Sequence, residues 1–189
     1  DATVNPKVDA PSVDKKIQEG DQKVGSNTAS IGDKIDYVVS SKVPNMKGYE
    51  KYYFVLNDTM SKGLTFNNDV VVKIGSTTLS EDAYTVTSTV NADKTTSIEI
   101  VLKNFIQYKE QAGADITVTY SATLNQDADL TQTGNINEVK LTYSNNPNYN
   151  YKGTDKPNPG EPVSETPKTE TKTYTTGLKL TKVNGEANT

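Results

Sequence analysis

The side chains able to do chemistry in this chain are few, because it contains no cysteine, no histidine and no tryptophan. That removes thiolate and imidazole nucleophiles, zinc-finger ligation and Ser–His–Asp relays together. Lysine, carboxylates, asparagine and hydroxyls remain. Three such residues fall on otherwise apolar strand faces, where side chains two apart point the same way. Lys15 lies between Val13 and Ile17, Asp58 ends the series Tyr52, Phe54, Leu56, and Asn145 ends the series Val139, Leu141, Tyr143. Burial disfavours an ammonium and leaves a neutral amine, which is a nucleophile. A buried aspartic acid stays protonated for the same reason. It can then donate to a carboxamide oxygen and help ammonia leave. The product would be an amide between the lysine and asparagine side chains, with folding supplying the proximity. Each residue also has an ordinary reading: Asp58 precedes a turn, Asn145 precedes Asn-Pro, and a lysine can snorkel to solvent. Lys16 and Asn146 are rival reactive positions and Glu138 a rival acid, and all three point to the opposite faces.

These residues must be held by strands. Thr, Val and Tyr are abundant, and they suit a pleated, half-buried surface. Short strands are predicted at 13–17, 35–39, 52–58, 70–74, 84–89, 97–102, 115–124 and 137–145, separated by turn residues, with one helical turn within 105–112. That spacing predicts an all-β sandwich. Residues 1–12 read as a lead-in and 13–152 as the sandwich domain. Residues 153–173, rich in Pro, Thr, Glu and Lys, read as an extended, poorly ordered linker. Residues 174–189 read as the first strand of a following domain. The net charge of -4 comes from 20 basic and 24 acidic residues spread along the chain, with no basic stripe for a nucleic acid. Mean hydropathy is -0.67, and no apolar run approaches the roughly 20 residues of a membrane span. No metal or cofactor set is suggested by the residue types present.

The stretches Val13-Asp14-Lys15-Lys16, Leu56-Asn57-Asp58-Thr59-Met60-Ser61-Lys62-Gly63-Leu64-Thr65 and Leu141-Thr142-Tyr143-Ser144-Asn145-Asn146-Pro147 resemble the D2-type isopeptide-forming domain of Gram-positive, sortase-assembled backbone pilins. The resemblance covers about residues 8–150. It implies an immunoglobulin-like, CnaA-type sandwich, with Lys15 as nucleophile, Asn145 as acceptor and Asp58 as the proton-handling acid. It also implies a structural shaft domain rather than an enzyme, exported and wall-anchored, whose partners are neighbouring pilin subunits joined by sortase. Leu178 to Gly185 is similar to the opening strand of CnaB-type domains, where Lys179 would match the reactive lysine. The competing expectation is a host-binding adhesin domain; Tyr149 and Tyr151 are the best ligand candidates, and packing of the domain end is the favoured reading of that pair.

Overall fold

The computed structural model describes residues 10–177. Its strands are β1 (Asp14–Glu19), β2 (Gln22–Val24), β3 (Ser26–Thr28), β4 (Lys34–Lys42), β5 (Phe54–Met60), β6 (Leu64–Phe66), β7 (Val71–Ile74), β8 (Thr77–Thr78), β9 (Tyr84–Val90), β10 (Thr96–Leu102), β11 (Asp115–Leu124), β12 (Asn135–Ser144), β13 (Val163–Glu165) and β14 (Thr169–Tyr174). They form two seven-stranded sheets. The first runs β2-β1-β4-β11-β7-β8 with β6 also on β11. The second runs β3-β14-β12-β5-β10-β9 with β13 also on β12. The expected all-β sandwich is therefore the observed architecture. The helical turn is a 3-10 helix, Phe105–Gln111, whose Phe105 ring stacks on Phe54 at 4.6 Å. No helix among the described residues is long and apolar enough to cross a membrane.

Strand alternation builds the core. Ile35, Tyr37 and Val39 of β4 are buried beside Ile116, Val118, Tyr120 and Ala122 of β11, and the other sheet contributes Phe54, Leu56, Ile98, Ile100, Val139 and Leu141. Each fully buried large apolar side chain is worth about 1.5–3 kcal/mol, so this inner layer holds the two sheets at a fixed spacing. Gly63 explains part of the motif Asp58 to Thr65. A Cβ there would lie 2.3 Å from Asn135 Oδ1 and 2.6 Å from the Ala128 backbone, so only glycine lets this turn pack under the start of β12.

The segment expected to be a linker belongs to the sandwich. β13 pairs with the end of β12, and β14 pairs antiparallel with Asn135–Val139 of β12 and parallel with β3. Its polar composition is misleading because its threonines alternate. Thr171 and Thr173 are buried, and Thr173 Oγ1 donates to Asn27 Oδ1 at 2.7 Å. Hydrogen-bonded hydroxyls can be buried without penalty, so a strand whose buried positions are threonines can pair into the sheet. Residues from 178 onward, including Lys179, lie outside the described residues.

The loop joining β12 to β13 is held by one carboxylate. Buried Glu161 accepts from the backbone N–H of Lys152 (2.6 Å), Asn158 (2.8 Å) and Gly153 (3.2 Å), and from the Tyr53 hydroxyl (2.8 Å). Burial alone would push this carboxyl up. The four donors outweigh it and hold the group at about 2, below its ordinary 4.5. A folded-state value below the unfolded one stabilises the fold above the ordinary range, and that contribution is lost as pH falls from about 4.5 toward about 2. Glu161→Gln should therefore cost about 1–3 kcal/mol at neutral pH. Urea melts from pH 6 down to about 2 should show an acid-labile component in the wild type that is missing from the variant. Equal acid sensitivity in both proteins would contradict this assignment. Deleting residues 163–189 should markedly destabilise the sandwich, because β14 is a paired strand of it. An unchanged melting temperature would show that β14 is dispensable.

Candidate functional site

Five strands converge between the sheets. Lys15 stands on β1 opposite Val39 of β4, and two residues further along Ile17 is opposite Tyr37. Tyr37 is in turn opposite Tyr120 of β11. From the facing sheet come Asp58 of β5 and its direct partner on β12, Val139, with Asn137 two residues away on the same face, opposite Met60. The two sheets thus present Lys15, Tyr37 and Tyr120 to Asp58 and Asn137 across the core.

Lys15 and Asp58 are both buried, with Lys15 completely inaccessible. Lys15 Nζ lies 2.8 Å from Asp58 Oδ2 and also donates to the Tyr120 hydroxyl, which itself donates to Asp58 Oδ2. The amine sits 4.5 Å from the Tyr120 ring centre and 4.9 Å from that of Tyr37. Desolvation pulls the Lys15 ammonium below its usual range, opposed by the charge and hydrogen bond of Asp58. Desolvation likewise pushes the Asp58 carboxyl up, opposed by Lys15 and Tyr120. Both directions favour the neutral amine and the neutral acid over the ion pair. Burial and the neighbouring Asp58 keep Tyr120 protonated.

Among the described residues, the buried side-chain polar atoms without a hydrogen-bond partner are Asp58 Oδ1, Tyr37 Oη and both amide atoms of Asn137. All of them belong to this one cluster. The Asn137 carboxamide is close enough to the Tyr37 and Tyr120 hydroxyls to temper their upward shifts, yet it forms no well-aligned hydrogen bond with either. A completely buried, unpaired carboxamide costs about 1–3 kcal/mol, and so calls for a functional explanation.

The structure brings together Lys15 and Asp58 of the three expected residues but leaves Asn145 outside. Asn145 follows the end of β12, is exposed, and donates through Nδ2 to Ser164 Oγ at 2.8 Å. It lies six residues past Val139, the partner of Asp58, which is roughly 20 Å along an extended strand. Right face parity did not suffice, because position along the strand also decides what a side chain can reach. Asn137 has the same parity as Val139 and Leu141, so the same face count run toward the start of the strand reaches it. Tyr120 shares its strand face with Ile116, Val118 and Ala122, and that alternation marks it as a core residue without marking its hydroxyl as part of a site. The rivals point outward: Lys16 pairs with Asp14 at 3.0 Å and Glu138 with Lys168 at 3.2 Å. Tyr151 is buried and donates to Pro162 O at 2.7 Å, the packing role favoured for it, while Tyr149 is 41% exposed.

Residues 31–147 match the family model described as Gram-positive pilin backbone subunit 2, Cna-B-like domain, a span that includes Asp58, Tyr120 and Asn137. That description uses the Cna-B-like name where the sequence resemblance pointed to the CnaA type. The chain is 27% identical over 142 residues to the trypsin-resistant surface T6 protein of Streptococcus pyogenes serotype M6, covering 72% of this chain and 26% of that protein. It is 32% identical over 118 residues to platelet adherence protein A of Streptococcus gordonii, covering 62% of this chain and 3% of that one. The chain thus spans about a quarter or less of these relatives. Among solved structures it is similar in fold to the major pilin GBS80 of Streptococcus agalactiae (35 kDa C-terminal fragment), with TM-score 0.64, 24% identity, and coverage of 88% of this chain and 56% of that one. The T6 backbone pilin of Streptococcus pyogenes aligns with TM-score 0.58 and 24% identity, over 87% of this chain and 36% of that one. The family match extends over more than half of the sequence, and the chain belongs to the Gram-positive pilin backbone family.

Proposed function

We propose that this chain is a structural shaft domain of a wall-anchored, sortase-assembled pilus, and that it cross-links itself through an amide between Lys15 Nζ and Asn137 Cγ. Family membership and the relatives' names support the shaft role. The observation that carries the cross-link is the gathering of the buried, unpartnered polar atoms around a buried lysine and carboxyl. In this reading Asn137 replaces Asn145 as acceptor. A host-binding role has less support, since Tyr151 is spent on packing the end of the domain.

The reaction follows from the neutral pair. The Lys15 lone pair attacks Asn137 Cγ while Asp58 donates a hydrogen bond to the carboxamide oxygen. The new nitrogen loses a proton to the carboxyl group, which protonates Asn137 Nδ2, and ammonia departs. Two costly buried polar groups become one amide, and no charge is left in the core. The bond closes a loop of roughly 120 residues, which by the chain-entropy argument stabilises the fold by about 5 kcal/mol. It would also tie β1 directly to β12, so tension entering at β1 bypasses the strands between them.

The intact protein should be lighter than its sequence by one ammonia, and a peptide map should join the fragments carrying Lys15 and Asn137. Asp58→Ala and Asn137→Ala should show the full sequence mass, whereas Asn145→Ala should still cross-link. A full-mass wild type, or a joined fragment carrying Asn145 instead, would refute the assignment. In denaturant titrations, Asn137→Ala should unfold with a stability lower by at least about 5 kcal/mol, because it loses the loop closure. A difference below about 1 kcal/mol would rule out a covalent contribution of that size.

A further inference from the structure

We propose that Tyr120 is the positioning residue of the cross-linking reaction: its hydroxyl decides which oxygen of Asp58 carries the proton and which way the Lys15 lone pair points. This rests on the Lys15–Asn137 reading above. Lys15 Nζ, the Tyr120 hydroxyl and Asp58 Oδ2 form a closed triangle in which every pair is in contact. A neutral amine has two N–H groups and one lone pair, while a phenol has one donor. The amine and phenol donors are all satisfied when the amine gives one hydrogen to Oδ2 and one to the Tyr120 oxygen, and the phenol gives its own to Oδ2. Both amine hydrogens are then engaged within the triangle, and the lone pair is left free. Oδ2 accepts twice, so the acid proton must sit on Oδ1. Oδ1 is buried with no partner, as are the Asn137 carboxamide atoms. The opposite arrangement, with the phenol donating to the amine, would occupy the lone pair and block attack.

The same triangle carries the proton afterwards. Once Nζ has bonded to Cγ, its surplus proton passes to Tyr120, whose own proton moves to Oδ2. The Oδ1 proton goes to Asn137 Nδ2, the Cγ–Nδ2 bond breaks and ammonia leaves. Tyr120 ends unchanged and Asp58 ends with one proton, so the exchange balances without any other reactant.

The titratable groups acting on Asp58 are Lys15 from β1, Tyr120 from β11 and Glu138 from β12, and Tyr37 of β4 lies beside them. Tyr120 lowers the Asp58 value by donating to it, so its removal should move the alkaline limb of the reaction to higher pH. The test follows the mass of freshly translated full-length chain over time at a series of pH values. The wild type is compared with Tyr120→Phe, and circular dichroism reports folding. Tyr120→Phe should fold and cross-link about tenfold or more slowly, with the alkaline limb displaced upward. An unchanged rate and pH profile would overturn the proposal. If Tyr120→Phe does not fold, 3-fluorotyrosine at position 120 keeps the ring and hydroxyl but makes the phenol a stronger donor. The alkaline limb should then move to lower pH, and an unmoved profile would reduce Tyr120 to packing. A wild type that never loses ammonia removes the Lys15–Asn137 reading itself, and the role of Tyr120 with it, before any variant is compared.

Discussion

Enclosing a lysine and an aspartate together between two sheets is the constraint around which the domain is organised. As separate ions each would cost several kcal/mol to desolvate, and their attraction repays this only with good geometry and satisfied hydrogen bonds. Here the geometry is good and the satisfaction is incomplete. Asp58 Oδ2 is fully engaged while Oδ1 is left bare, and the neighbouring carboxamide is bare as well. A purely structural ion pair would gain nothing from such neighbours. A neutral amine and a neutral acid poised beside an amide can convert the unfavourable burial into a covalent bond.

The rest of the fold serves that enclosure. Tyr37 and Tyr120 come from adjacent strands of one sheet and shield the amine with their ring faces. The direct pairing of Asp58 with Val139 sets how far Asn137 stands from the acid, so a slip of one residue in the β5–β12 register would turn Asn137 out of the core. β14 covers β12 at that same point, with Thr171 opposite Asn137 and the Lys15 backbone N–H donating to Thr169 Oγ1 at 3.1 Å. The closing strand therefore touches both partners of the proposed bond.

The topology also determines where such a bond leaves the domain dependent on weaker forces. A Lys15–Asn137 amide would protect the chain between β1 and β12. The strands after it are held without a covalent tie: β13 by the end of β12, and β14 by its beginning and by β3. The Glu161 carboxylate, with its three backbone donors and the Tyr53 hydroxyl, anchors the connecting loop against peeling.

The sequence by itself determined what rests on local pattern. Alternation marked the main strands and the inward faces of Lys15 and Asp58, and the missing thiols and imidazoles left lysine, carboxylates, asparagine and hydroxyls as the groups able to react. It could not determine reach. Asn137 and Asn145 share a parity and are equal to any count of faces. Only the pairing of β12 with β5 shows that one lies in the core and the other beyond the strand end. Nor could composition show that residues 163–174 are strands, because a run of Thr, Lys and Glu forms a strand only when β12 and β3 offer it edges to pair with. The same holds for Tyr120. Its burial was legible from its strand, but its hydroxyl became part of the site only when two sheets, far apart in sequence, were brought face to face.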